Sequence, residues 1–236
     1  MRIEALADAD AVARTGAVFT AGEARAAIAA RGRFVMAVSG GRTPWTMLCT
    51  LADQDLPWAD IHVVQVDERV APAGHPDRNL THLTESLLAH CPLRPDHVHA
   101  MPVESGDLES ASGEYAATLQ QVAGVPAVID LVHLGLGPDG HTASLVPSDP
   151  VLEVTDADVA VTGPYQGRRR MTLTYPILNR ARRIVWLVTG LEKAEMLARL
   201  CDGDRSIPAG RVRQQQAVVL ADAEAARLSS EYTARP

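Results

Sequence analysis

The chain has 236 residues, 47% apolar and 22% charged, with a formal net charge of −7 at pH 7. This is enough apolar material for one self-supporting core. The acidic balance argues against a nucleic-acid-binding surface, yet leaves a local cluster of cations able to hold an anionic small molecule.

No apolar run approaches the ~18 residues of a membrane span. The opening MRIEALADADAVA lacks a basic stretch followed by an apolar run, so no secretory leader is expected. The cysteines, Cys49, Cys91 and Cys201, lie far apart with no C-x-x-C spacing. Buried thiols in a cytoplasmic protein are the expectation.

In chain order, the Ala-rich stretch 9–31 predicts a long helix stopped by Gly32. Apolar runs bounded by turn residues predict strands at 34–38, 61–66, 129–134, 159–162, 184–188 and 217–220. Several are continuous rather than alternating, as in strands covered on both faces. Helices are predicted at 44–51, 79–90, 108–123 and 192–200. This alternation gives an α/β fold, a single three-layer αβα domain over residues 1–236 with a mostly parallel, Rossmann-like sheet.

Five segments carry candidate chemistry. Ser39-Gly40-Gly41-Arg42-Thr43-Pro44 joins a strand to a helix. Thr43 is placed to cap that helix and Pro44 suits its first turn. The glycines admit close backbone approach, and the helix start and Arg42 add positive charge, as in a phosphate cradle. Asp67-Glu68-Arg69 follows the strand 61–66, where ligands of parallel sheets sit. Asp67 is a candidate acid or base, and Arg69 a candidate oxyanion or phosphate contact. The loop Gly135-Leu136-Gly137-Pro138-Asp139-Gly140-His141 follows the strand 129–134. Its glycines match G-x-G-x-x-G, but Pro147 and Pro150 leave no room for the helix that a dinucleotide site needs. Asp139 two residues before His141 suggests a general base instead. Arg168, Arg169 and Arg170 are a candidate phosphate contact. Lys193, at a helix start where the dipole disfavours it, is a candidate ligand group. His97 and His99 are read as structural, and the lack of G-x-S-x-G argues against a serine hydrolase.

These segments, in this order, resemble the glucosamine-6-phosphate isomerase/6-phosphogluconolactonase family, from about residue 10 to about 222. SGGRTP is similar to the family's SGGSTP, VDERVAP followed by Asn79 to DERxVP…SN, LGLGPDGHTASLVP to LGxGxDGHxASLFP, RMTLTYPILN to RxTLTxPxLN, and GLEKA to GxxKA. Two departures stand out: Arg42 replaces a small residue, and DERVAP stands for DERxVP.

The resemblance implies hydrolysis of 6-phospho-D-glucono-1,5-lactone, a phosphorylated sugar lactone, without a metal or cofactor. Neither nucleic acid nor membrane is an expected partner, and the chain is expected as a monomer or small homo-oligomer. For that reaction His141 is expected to act as the general base on water, with Asp139 or Asp67 orienting it or its water. Arg69, or N–H groups of residues 135–140, would stabilise the oxyanion. Ser39, Gly40, Gly41, Arg42 and Thr43, with Gly137, Gly140, Arg170 and Lys193, would bind the substrate and its phosphate, the motif selecting Arg170 from the three arginines. The isomerase branch carries a glutamate a few residues after the loop histidine, where Val146 stands here. A non-catalytic sugar-phosphate sensor, free to lose His141 or Asp67, is the third reading; both residues are present.

Overall fold

The computed structural model describes residues 1–229. In chain order its elements are β1 (Arg2–Leu6), α1 (Ala9–Arg31), β2 (Phe34–Val38), α2 (Arg42–Ala52), β3 (Ile61–Gln65), β4 (Asp67–Arg69), α3 (Asn79–Leu83), β5 (Val98–His99) and α4 (Leu108–Ala123). They continue as β6 (Leu131–Leu134), β7 (Val159–Val161), β8 (Arg170–Leu173), α5 (Tyr175–Arg180), β9 (Arg183–Val188), α6 (Ala194–Cys201), β10 (Ala217–Asp222) and α7 (Ala223–Ala226).

The long first helix forms as its sequence predicts. Asp8 accepts a hydrogen bond from the Ala11 N–H at its start, and Gly32, in the left-handed region, closes its end by donating to Ile28. The face turned inward is mostly small, with Ala13, Gly16, Ala17, Ala21, Ala24 and Ala27, which lets the helix lie close on the sheet. A seven-stranded parallel sheet in the order β1-β10-β9-β6-β2-β3-β5 forms the central layer. Helices α1 and α2 pack on one face with Phe34, Met36, Val185 and Leu187. Helices α4, α5, α6 and α7 pack on the other with Val35, Val64, Val132 and Trp186. The three-layer α/β reading holds.

Strand order reverses between β2 and β6. Such a switch point leaves a crevice beyond the carboxyl ends of the strands, since the connections depart to opposite faces. Ser39 follows β2 there and Gly135 follows β6.

A second, three-stranded antiparallel sheet, β4-β8-β7, was not expected. Val66 joins the two sheets: its N–H donates to Val38 of the large one, and its carbonyl accepts from Leu173 of the small one.

Four local expectations change. Helix α2 begins at Gly41 with no side-chain cap, and Thr43 lies inside it, its hydroxyl paired with that of Thr189 at 2.8 Å. The stretch 79–90 is α-helical only over Asn79–Leu83, then widens to a π turn, Thr84–Leu88. The short helix α5 follows β8 where none was expected. The cysteines are not buried: Cys49 is exposed, and Cys91 and Cys201 are intermediate. Among the described residues no helix is long and apolar enough to cross a membrane.

Candidate active site

A cavity of about 170 Å³ opens at the switch point, lined by residues from both sheets, among them Ser39, Gly40, Asp67, Arg69, Asn79, Gly137, His141, Arg170 and Lys193. Ser39 is tied to β6: its N–H donates to His133 Nδ1 (3.2 Å) and its hydroxyl to the His133 carbonyl (2.9 Å). His133 is fully enclosed, and burial pushes its imidazole down to about 4. Because Nδ1 accepts a bond, the proton resides on Nε2.

Gly40 is glycine because Asn79 lies against it; a Cβ there would fall 2.0 Å from Asn79 Oδ1. Asn79 Nδ2 donates to the Asp67 carbonyl (2.9 Å), and Asn79 Oδ1 accepts from Arg69 Nη1 (2.7 Å). Beneath this layer sits Glu68, with no exposed surface. Its carboxylate accepts from the N–H groups of Arg69, Asn79 and Leu80 and from Gln65 Nε2, and pairs with Arg78 at 3.1 Å. A buried carboxylate held by several charge-assisted bonds is tolerated where a lone one would not be. Glu68 thus caps α3 and fixes Asp67, Arg69 and Asn79.

The loop after β6 is closed on itself. The Gly137 N–H donates to the His141 carbonyl (2.8 Å) and the Gly140 N–H to that of Gly137 (3.0 Å). Those two N–H groups are therefore engaged within the loop. No helix follows Gly140 directly, in agreement with rejecting a dinucleotide site.

The loop brings Asp139 Oδ1 to 2.5 Å from His141 Nδ1, and the His141 N–H also donates to it (3.2 Å). Burial raises the Asp139 carboxyl, but the bonds and charge of His141 and the Tyr165 hydroxyl outweigh this and hold it below the ordinary carboxylate range. Asp139, not Asp67, is thus the carboxylate bonded to His141. Asp67 Oδ2 accepts from the Ser144 hydroxyl at 2.6 Å, and Arg170 Nη1 lies 3.4 Å from the same hydroxyl.

Of the three adjacent arginines only Arg170 faces the cavity. Arg168 pairs with Asp77 and Arg169 with Glu109. Arg170 is 5% exposed, and its Nε has no hydrogen-bond partner among the described residues. Burial lowers its pKa, partly opposed by Asp67. Lys193 also lines the cavity; burial lowers its ammonium, against Glu192 and Asp139. An anion entering between these cations would relieve both desolvated charges.

Some expected site residues lie off the cavity wall. Arg42 is exposed, Thr43 is engaged with Thr189, and Gly41 forms the helix start. Gly140, at φ 80°, packs against Ile207. His97 and His99 stack around His62 on the far edge of the sheet. No group of three His, Cys, Asp or Glu among the described residues is arranged to hold a metal ion.

Asn79, Glu68 and Tyr165 were not singled out for the site from sequence. A turn signal lies beside Tyr165: Gln166-Gly167, a few residues from the apolar runs on either side, suits a two-residue hairpin loop. Both residues have positive φ, 52° and 81°, and Tyr165 pairs with Arg168 across the turn.

Known proteins share both the sequence and this framework. The profile of the family described as glucosamine-6-phosphate isomerases/6-phosphogluconolactonase matches residues 7–221. The 6-phosphogluconolactonase of Synechocystis is 42% identical over 178 residues, 74% of each chain. That of Mycobacterium tuberculosis is 36% identical over 238 aligned positions, covering 95% of this chain and 96% of the relative. The crystal structure of 6-phosphogluconolactonase from Thermotoga maritima superposes with a TM-score of 0.84 at 27% identity, covering 94% of this chain and 98% of that one. This chain therefore belongs to the glucosamine-6-phosphate isomerase/6-phosphogluconolactonase family.

Proposed function

We propose that this protein is a hydrolase that opens 6-phospho-D-glucono-1,5-lactone to 6-phosphogluconate, the second step of the oxidative pentose phosphate pathway, in the cytoplasm. The observation that carries the reading is the 2.5 Å Asp139–His141 pair at a cavity walled by Arg69, Arg170 and Lys193. The names of its relatives support it.

With Nδ1 bonded to Asp139, His141 holds Nε2 available as a base. Nε2 takes a proton from water as the water oxygen attacks the lactone carbonyl carbon. Arg69, at the end of β4, stabilises the resulting oxyanion. Collapse breaks the bond from the carbonyl carbon to the ring oxygen, and His141 returns its proton to that oxygen. The product acid then ionises. A lactone is already an activated ester, so no step calls for a metal or coenzyme. The substrate's phosphate lies against Arg170, Lys193 and the backbone of Ser39 and Gly40.

Against the isomerase branch stands Val146, buried in the apolar core at the position of that branch's glutamate. No carboxylate is available there for a second proton transfer.

Lactone generated in situ by glucose-6-phosphate dehydrogenase, with its opening followed through 6-phosphogluconate dehydrogenase, tests the assignment. The expected result is acceleration over spontaneous hydrolysis, reduced ~10²–10⁴-fold in His141→Ala. No acceleration by the wild type, together with turnover of glucosamine 6-phosphate, would transfer the chain to the isomerase branch.

A further inference from the structure

The Asp139–His141 pair has a third member that its loop does not supply. The hairpin joining β7 to β8 turns at Gln166-Gly167 and brings Tyr165 to Asp139. The Tyr165 hydroxyl donates to Asp139 Oδ2 at 3.1 Å, the oxygen that His141 leaves free. The Tyr165 ring meets His141 edge-on, with centroids 5.5 Å apart at 63°, and the Arg170 guanidinium lies 4.9 Å above the ring centroid. Burial, followed by the bond and charge of Asp139, raises the Tyr165 phenol above its ordinary range, so at neutral pH it keeps the proton it donates to Asp139.

We propose that Tyr165 is a positioning residue for the hydrolysis, acting through Asp139 to fix the orientation and proton state of His141. The inference rests on His141 being the general base. A carboxylate held on one oxygen rotates about its own axis; held on both, it presents a single lone pair to Nδ1. Donation to Oδ2 also draws negative charge away from Oδ1, so His141 faces a weaker partner and releases its proton more readily after water attack. Tyr165 does not line the cavity, and its effect therefore falls on turnover and not on substrate binding.

The test is a double-mutant cycle of Tyr165→Phe with Asp139→Asn in the full-length enzyme. Phe keeps the ring contacts and removes only the hydroxyl. The expected single-mutant result is a kcat about 10-fold lower with KM within about twofold, in the range of one hydrogen bond to a charged group. The acidic limb of its pH–rate profile should move to higher pH. In the Asp139→Asn background, Tyr165→Phe should change kcat less than about twofold, because the hydroxyl has lost the charge through which it acts. Multiplicative losses in the double mutant, or a change confined to KM, would overturn the proposal. The single variants report separately: full activity in His141→Ala removes the general-base reading, whatever the tyrosine cycle gives, and full activity in Asp139→Asn removes the route through which Tyr165 acts.

Discussion

The two sheets divide the labour of the site unequally. The large parallel sheet contributes loops: the backbone at Ser39 and Gly40 after β2, and the closed turn carrying the Asp139 and His141 side chains after β6. The small antiparallel sheet contributes fixed charge: Asp67 and Arg69 from β4 and Arg170 from β8, whose partnered residues Arg69 and Arg170 lie directly opposite one another. The difference follows from geometry. Strands of a parallel sheet covered on both faces have apolar side chains, so only the loops beyond their ends can offer chemistry. The short antiparallel strands tolerate charge because Asp67 offsets Arg170, although Arg69 opposes it. The base therefore stands on a loop and two of the cations, Arg69 and Arg170, on a sheet, while Lys193 reaches the cavity from the turn after β9.

The sharpest way to break that division is Gly137→Ala. An added Cβ would sit 2.0 Å from His141 Nδ1, 2.3 Å from its Cε1 and 2.7 Å from Asp139 Oδ1. Neither side chain can yield without parting the pair. A fall in kcat of ~10²–10⁴-fold is expected, matching loss of the base, with cooperative thermal unfolding retained. Near-normal kcat would mean that the rate does not depend on this His–Asp geometry.

The small sheet is probed by Arg170→Met. Methionine fills similar space without the cation. KM for the lactone should rise about 10–100-fold, and inorganic phosphate should inhibit correspondingly less, with kcat changed little. A fall in kcat at unchanged KM would instead assign Arg170 to oxyanion stabilisation, and the simple split between loop chemistry and sheet binding would fail.

The same division explains what could be read from the sequence. The strands β2, β3, β6, β9 and β10 announce themselves as continuous apolar runs because burial on both faces demands it. Helices α1 and α4 end at glycines, Gly32 and Gly124, and their extents match the expectation. The strand β1, RIEAL, escapes because it lies at the sheet edge with two exposed positions and a polar sequence. Strands β4 and β8 escape because they are short and their charged residues, Asp67, Glu68, Arg69 and Arg170, read as surface turns. Only the tertiary fit buries Asp67, Glu68 and Arg170. Asp139 and His141 were legible because they bond across two residues, whereas the partner of Asp139 Oδ2 lies 26 residues along the chain. Glu68 gave no signal: a buried carboxylate looks like an exposed one until its donors are assembled around it.

The smallest effect, absent at pH 7, concerns His133 in the floor of the large sheet. Its pKa falls from an ordinary 6.5 to about 4 on folding. Between those values the unfolded chain binds a proton that the native protein refuses. The associated stability is therefore full above pH 6.5 and declines as pH falls toward 4, by about 2 kcal/mol at pH 5. His62 acts in the same direction, driven by burial and the neighbouring His97 and His99, but its partial exposure to solvent reduces its share. Protonation of His133 would also turn Nδ1 from acceptor to donor against the Ser39 N–H, loosening the loop beside the cavity. His133→Asn places an amide oxygen near Nδ1 and has no proton to gain. Urea unfolding at pH 7, 6 and 5 should therefore show a flatter acid decline for the variant than for the wild type. Equal declines would move the acid sensitivity to the histidine stack at the sheet edge, leaving the floor beneath Ser39 indifferent to pH.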